Sequence, residues 1–219
     1  MAQKKSASGI VEDAKKIAVL ATPIRIELVT TIQALGGAAT VAELAVQLGR
    51  PADGLYYHLR ALVRSGLAEE RAEAGGRRYR LTTPRGQRMS LRYKPGATPN
   101  AKAVARVASS MSRLAQRDFV RALSRADAVV EGPSRELWVA RLRGWVDPAE
   151  LAKVNRLLQR LAEMLLRTRP TRTGKLIALH WILTPIDAKP ARRVPAAVAT
   201  TPSAQRHARA KDAAPRRSR

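Results

Sequence analysis

Residues 40–67 read TVAELAVQLGRPADGLYYHLRALVRSGL, and this stretch decides the fold. It opens with a capping box, in which Thr40 precedes Glu43 by three residues, and the helix that follows is predicted to end at Gly49. Pro51 then starts a second helical segment that ends near Ser65. Each segment has one apolar face, formed by Val41, Leu44, Ala45 and Leu48 in the first and by Leu55, Leu59, Leu62 and Val63 in the second. Two amphipathic helices joined so tightly predict a helix-turn-helix.

The residues upstream add two more helices to this motif. Thr22 and Pro23 predict a helix start, with Thr22 as the N-cap and Pro23 in the first turn. The apolar stripe of that helix ends at Gly36 and consists of Ile24, Ile26, Leu28, Val29 and Ile32. A shorter helix is predicted between residue 11 and Thr22. The motif is therefore the second half of a small helical domain.

A β-hairpin is predicted directly after the motif. Residues 68–73 and 77–82 flank the sequence Ala-Gly-Gly, whose glycines accept the positive φ of a tight turn. In the second strand the apolar side chains of Tyr79 and Leu81 alternate with Arg78 and Arg80, so that one face packs and the other is cationic. Helices followed by a basic hairpin predict a winged helix-turn-helix between residues 11 and 95.

Three stretches carry a family resemblance: ATPIRIELV at residues 21–29, the motif at residues 40–67, and RRYRL at residues 77–81. Over residues 20–81 the chain resembles the ArsR-type winged-helix transcriptional regulators. The resemblance implies a dimeric repressor that binds double-stranded DNA and is released by an effector.

The chain departs from this family in two places. Many members sense metals through Cys or His ligands, but this chain has no Cys, and its three His residues, His58, His180 and His207, are scattered. We therefore expect no metal site and no cofactor. Related recognition helices usually begin with a Ser or Thr cap where this chain has Pro51, so the usual capping contact is not expected here.

The candidate DNA contacts lie on the second helix of the motif and on the wing. The helix is expected to enter the major groove, and the hairpin to contact phosphates or the minor groove. The candidate residues are Ala52, Asp53, Gly54, Tyr56, Tyr57 and Arg60 on the helix and Arg77, Arg78 and Arg80 on the wing. Gly54 would let the backbone approach a phosphate. The two tyrosines either donate to DNA or pack partly under the wing, and His58 is expected to pack.

Charge points to the same kind of partner. The chain has 41 Lys and Arg against 17 Asp and Glu, a net charge of +24, which suits a polyanion. The alternative is a genome whose proteins are generally rich in Arg and Ala. No nucleophile, base and acid set or phosphate-binding glycine loop is visible, so no enzymatic activity is expected. No apolar run approaches the roughly 18 residues of a membrane span, and a cytoplasmic location is expected.

A long helix is predicted between residues 99 and 128. Its apolar stripe contains Val104, Val107, Ala108, Met111, Leu114, Ala115 and Phe119. Such a stripe needs a partner surface. We expect it to be a dimerisation face, and the alternative is a helix folded back on its own domain.

A strand–helix–strand unit is predicted next. The strands are residues 137–146 and 176–183, and Asp147 and Glu150 cap a helix whose buried face is expected to contain Leu151, Val154, Leu158, Leu161 and Leu165. All three Trp residues, Trp138, Trp145 and Trp181, belong to this unit. They either line a pocket for a small-molecule effector or form the core of the unit.

The predicted fold class is mainly α with a small amount of β. Residues 1–10 form a flexible arm, 11–95 the winged helix-turn-helix, 96–184 the dimerisation and possible effector region, and 185–219 a disordered basic tail. The functional hypothesis is a sequence-specific transcriptional regulator, in the form of a homodimeric repressor. The alternatives are an architectural DNA-binding protein with little sequence preference and a winged-helix module that binds protein or RNA.

Overall fold

Six helices and five short strands make up the residues that the structure describes, which are 9–74, 76–84, 87–168 and 174–186 of this computed structural model. The chain divides into two units, Met1–Trp181 and Ile182–Arg219. Within the second unit the described residues 182–186 belong to no helix or strand, and they are exposed. The predicted arm and basic tail lie almost entirely outside the described residues.

The elements follow one another in the order expected for a winged helix. The helices are α1 (Ala14–Leu20), α2 (Pro23–Ala34), α3 (Val41–Leu48), α4 (Asp53–Arg64), α5 (Pro99–Leu123) and α6 (Pro148–Arg167). The strands are β1 (Ile10–Val11), β2 (Ala38–Thr40), β3 (Ala68–Glu73), β4 (Gly76–Leu81) and β5 (Ser90–Leu91). The fold is mostly helical with a small sheet, and its N-terminal part is a winged helix-turn-helix.

Local signals in the sequence set most helix starts. Both predicted capping boxes form: the Thr40 hydroxyl accepts from the Glu43 amide at 3.2 Å while the Glu43 carboxylate accepts from the Thr40 amide at 2.7 Å, and Asp147 and Glu150 do the same for α6. The expected cap at Thr22 is only partly present, because its hydroxyl makes no capping hydrogen bond. α4 begins without a side-chain cap, as the sequence around Pro51 predicts.

The wing is a three-stranded antiparallel sheet in the order β2–β4–β3. β4 is central, so Tyr79 lies opposite Ala39 of β2 and Glu70 of β3. The hairpin was predicted correctly, but β2 was not, because a three-residue strand is too short to show an alternating pattern. β1 and β5, which pair in parallel, were missed for the same reason.

The core of the domain lies between the helices and the inner face of the sheet. Its fully buried side chains come from α1 to α4, from the residue just before β3 and from the wing. They include Ile17, Leu28, Ile32, Leu44, Leu55, Leu59, Leu62, Leu67 and Tyr79. Each such Leu or Ile contributes roughly 1.5–3 kcal/mol of burial. The apolar stripes that predicted the helices are therefore the surfaces that join them.

The helix α5 packs on its own domain, mainly against α1. Ala103, Val107 and Leu114 are buried there, and the Ser110 hydroxyl donates to the Ala21 carbonyl at 2.6 Å. Four residues of the predicted stripe thus pack on the core, as in the alternative of a folded-back helix: Val104, Val107, Met111 and Leu114. Ala108, Ala115 and Phe119 stay partly exposed, and dimerisation through this helix stays a prediction. Ile17 and Leu20 of α1 belong to the same buried cluster as Ala103, Val107 and Leu114 of α5, so the two helices share one apolar core.

The strand–helix–strand prediction is only partly correct. α6 forms, but residues 137–146 and 176–183 belong to no strand or helix, and no residue of α6 is buried. Trp138 and Trp145 are exposed, so in a single chain they form neither a core nor a pocket. A strand needs a hydrogen-bonded neighbour, and the described part of the chain supplies none to these segments.

The helices were also compared with the requirements of a membrane span. No single helix in the described ranges is long and apolar enough to cross a bilayer. α1 and α2 reach the required length and composition only as a pair, and the pair is bent by 90°.

Candidate nucleic-acid interface

The turn between α3 and α4 sets the direction of the candidate recognition helix. Gly49 has a left-handed backbone (φ 60°) and ends α3 by donating to the Ala45 and Val46 carbonyls. Only four residues separate the two helices, so α4 starts at a fixed angle to α3. The buried face of α4, formed by Leu55, Leu59 and Leu62, then holds the helix on the core.

The opposite face of α4 is open to solvent. Asp53, Gly54, Tyr57 and Arg60 are exposed there, and the Tyr57 side chain is 64% exposed. Arg60 makes no ion pair with any described residue, so its guanidinium is free to contact an anion. These four residues are brought together as the sequence predicted.

Two of the residues that were predicted to contact DNA from this helix are partly buried rather than exposed. Ala52 and Tyr56 are partly buried and pack against the core. They are one turn apart on the side that faces the domain, and for Tyr56 this is the packing alternative considered from the sequence.

An arginine from α2 reaches Tyr57, and this contact was not predicted. The Arg25 guanidinium lies 5.9 Å from the centre of the Tyr57 ring and donates to the Val19 carbonyl at 3.1 Å. His58 meets the same ring edge-on, at 5.2 Å between centroids. Arg25 Nε and His58 Nδ1 are both buried and have no hydrogen-bond partner among the described residues.

The environment of His58 disfavours its charged form. Burial lowers the pKa of His58 below its ordinary value, and the charges of Arg25 and Arg50 lower that pKa further. A neutral imidazole beside two arginines adds no positive charge at neutral pH. The cationic character of this side of α4 therefore comes from the arginines.

A partly buried carboxylate connects the motif to α5. Glu27 of α2 accepts from Arg50, in the turn before α4, at 3.2 Å and from Arg117 of α5 at 2.6 Å. The hydrogen bond with Glu27 is the main reason that the pKa of Arg117 is raised above its usual range, although burial opposes the shift. Sequence reasoning missed these residues, since they are distant in the chain and no local motif contains them.

The three predicted arginines of the wing differ in their partners. Arg77 pairs with Glu70 at 3.1 Å, and Arg78 lies 3.6 Å from Glu43 and 3.8 Å from Glu73. Arg80 is exposed and has no acidic partner within the described ranges. Arg78 and Arg80 also line one shallow open cavity on the outer face of the sheet, together with Leu35, Gly36, Ala38 and Glu73. Of the wing arginines, Arg80 is the one whose charge is least neutralised.

The arrangement suits a long anion better than a small ligand. The major groove of B-DNA is about 12 Å wide and admits one α-helix, and a basic hairpin beside that helix can hold the backbone. Among the described residues no three His, Asp or Glu side chains come together as metal ligands.

Comparison with known proteins supports this assignment. A family model described as a helix-turn-helix domain matches residues 20–71, which run from the end of α1 into β3. No curated protein matches the chain. The chain thus contains a helix-turn-helix domain at residues 20–71, which supports DNA binding and a part in the regulation of transcription.

Proposed function

We propose that the chain is a sequence-specific transcriptional regulator of the ArsR-like type that binds operator DNA as a homodimer and represses transcription. The observation that carries the proposal is the exposed face of α4, where Tyr57 and Arg60 are open to solvent while the opposite face of the helix is buried in the core. The proposal includes a cytoplasmic site of action, no catalytic step and no metal. A small-molecule effector is compatible with it, but no residue is assigned to one.

The helix α4 and the wing have different roles in this proposal: α4 discriminates between DNA sequences, and the wing holds the phosphate backbone. Tyr57 and Arg60 face the base edges, where a good bidentate contact discriminates by roughly 1–3 kcal/mol. The wing arginines contact the backbone and position the protein without reading sequence. Among them Arg80 contributes most, since Arg77 and Arg78 must first release their carboxylate partners.

The test compares single variants on two DNA duplexes. Arg60→Ala and Tyr57→Ala should weaken binding to the operator more than binding to a scrambled duplex, at one salt concentration. Arg80→Ala should weaken both duplexes equally and by more than Arg77→Ala. Arg156→Ala, an exposed arginine of α6, is the matched control and should change neither. The operator is first selected from random duplexes with the full chain.

Loss of discrimination in Arg80→Ala, with both α4 variants unaffected, would show that the reading element is misassigned. The net charge of +24 supports a second candidate, an architectural DNA-binding protein. In that case selection yields no preferred site, and affinity depends only on duplex length and salt.

A further inference from the structure

The region after α5 exposes far more apolar surface than a monomer usually does. Leu142 is 91% exposed and Trp138 is 70% exposed, and Val139, Trp145, Leu157 and Met164 are also open to solvent. Other large apolar side chains between residues 129 and 181 are exposed as well, namely Val129, Val130, Val146, Leu151, Leu161, Leu176, Ile177 and Leu179. The largest patch on a typical monomer is roughly 300–600 Å², and one partner in a stable complex buries about 800 Å². This region therefore has the surface that an interface requires.

Two segments in this region are neither helix nor strand, and their backbone groups have no backbone partner among the described residues. Within the described residues, no backbone amide or carbonyl of residues 138–146 or 176–181 bonds to another backbone group. His180 Nε2, in the second segment, is also buried without a hydrogen-bond partner in the described part of the chain. Extended apolar segments with unpaired backbone are templates for sheet formation.

An ion pair links the residues that precede the two segments. Lys175, just before the second segment, forms an ion pair with Glu136, just before the first. With α6 connecting them, this is the order of a strand–helix–strand unit with parallel strands. Their sequences differ as an edge strand differs from a central strand: residues 137–146 include Arg141 and Arg143, whereas residues 176–181 carry no charged side chain at neutral pH.

One chain alone cannot complete such a sheet. A two-stranded sheet is marginally stable in water, and three or more strands with a covered face are needed. A second copy supplies two more strands and a second α6. Because residues 176–181 are uncharged, two copies can pair this segment around a two-fold axis without opposing like charges, while Arg141 and Arg143 stay at the outer edges.

We propose that residues 137–146 and 176–181 become strands of one sheet shared by two copies of the chain, covered on one face by the apolar stripes of both α6 helices. Val154, Leu158 and Leu165 of that stripe then become buried, as their spacing requires. The proposal deepens the proposed function, because it says which part of the chain forms the homodimer.

The first test is sedimentation of the full chain over a dilution series, with tryptophan emission measured in parallel. Emission reports on this region alone, since it contains all three Trp residues of the chain. We expect twice the chain mass of 23.9 kDa at high concentration, and a shift of emission to longer wavelength on dilution with the same midpoint as the loss of mass. A chain that stays monomeric up to about 100 µM, or a dimer whose emission does not change on dissociation, would overturn the proposal.

The second test introduces a charge where the single chain tolerates one. Leu142→Asp leaves the isolated chain unperturbed, because that side chain is already exposed, but it would bury a carboxylate in the shared sheet. The dissociation constant should rise by at least about 100-fold. Val46→Asp makes the same kind of change at an exposed position of α3 and should leave dimerisation unchanged. An unchanged dissociation constant in Leu142→Asp contradicts the shared sheet.

The third test uses the absence of Cys from the chain, which removes any background in cross-linking. Ala178→Cys, in the uncharged segment, should give a covalent dimer with a short bifunctional thiol reagent. Ser109→Cys, exposed on α5, should not. Cross-linking of Ser109→Cys alone would place the dimer contact on α5 and overturn the proposal.

This proposal and the proposed function can fail separately. If the chain selects an operator but the dimer survives Leu142→Asp, regulation stands and the shared sheet is wrong. If the dimer is lost in Leu142→Asp but the wild-type chain selects no operator, the shared sheet stands and sequence-specific regulation is wrong.

Discussion

Asn100 connects the start of α5 to the segment just before it and to Glu12, which is 88 residues away in the chain. Its amide nitrogen donates to the Glu12 carbonyl at 2.8 Å and to the Arg92 carbonyl at 3.1 Å. Its amide oxygen accepts from the Lys94 backbone amide at 2.8 Å, and the residue is 4% exposed. We predict that Asn100→Ala loosens the attachment of α5 to the domain, because all three hydrogen bonds are lost at once.

The size of the effect follows from these contacts. A hydrogen bond contributes about 1 kcal/mol net, and a buried backbone group left without a partner costs about 1–3 kcal/mol. Two effects reduce this loss. Water can reach some of the three backbone groups that lose their partner, and Ala favours a helix over Asn by roughly 0.5 kcal/mol. We therefore expect the free energy of unfolding to fall by about 2–4 kcal/mol.

The assay is urea unfolding followed by far-UV circular dichroism. Asn155→Ala is the matched control, because Asn155 is also helical but exposed, with one hydrogen bond to the Leu151 carbonyl at 2.9 Å. Its free energy of unfolding should change by no more than about 0.5 kcal/mol. If Asn100→Ala loses less than about 1 kcal/mol with an unchanged urea dependence, the three contacts do not hold α5, and the reasoning is refuted.

Two further predictions concern titratable groups around α4. Glu27→Gln should lower the free energy of unfolding by about 1–3 kcal/mol, because the Glu27 side chain is only 14% exposed and binds both Arg50 and Arg117. The control Glu69→Gln, on the open wing, should lower it by less than about 0.5 kcal/mol. Equal losses for the two variants in urea unfolding would contradict the role of burial. Burial and the neighbouring arginines lower the pKa of His58 in the folded chain. Between the ordinary pKa of 6.5 and the lowered pKa of the folded state, the unfolded chain therefore binds more protons than the folded chain. The stability of the folded chain falls as the pH drops through that window. His58→Gln should reduce this loss, as measured by urea midpoints at about pH 7.5 and pH 5.5, and an unchanged difference between the two midpoints would argue against it.

The recognition face shows how far sequence reasoning reaches. The spacing of Leu55, Leu59 and Leu62 determines which side of α4 is buried, so the exposure of Tyr57 and Arg60 follows from periodicity alone. Periodicity does not give the width of the buried face, which depends on what packs against it. For that reason Ala52 and Tyr56 were placed among the exposed residues, although both pack on the core.

The arginines illustrate a second limit. From the sequence, Arg77, Arg78 and Arg80 are equivalent basic residues on one strand. In the folded chain, β3 brings Glu70 to Arg77 and Glu73 to Arg78, whereas Glu69, which lies opposite Arg80, pairs with Arg71 and leaves Arg80 without an ion pair among the described residues. The charge that a side chain presents to DNA depends on its neighbours across the sheet, and those are set by register.

The structural features that the sequence determined by itself depend on residues that are close together in the chain. The capping boxes at Thr40 and Asp147, the left-handed Gly49 and the turn at Gly76 act within a few residues, so helix starts, the helix-turn-helix and the hairpin could be deduced without tertiary structure. The tertiary structure alone decided which apolar surfaces meet. It buried Val107 and Leu114 of the α5 stripe and left residues 137–146 outside any strand. A strand becomes stable only when another segment satisfies its backbone hydrogen bonds, and no local pattern states where that segment is.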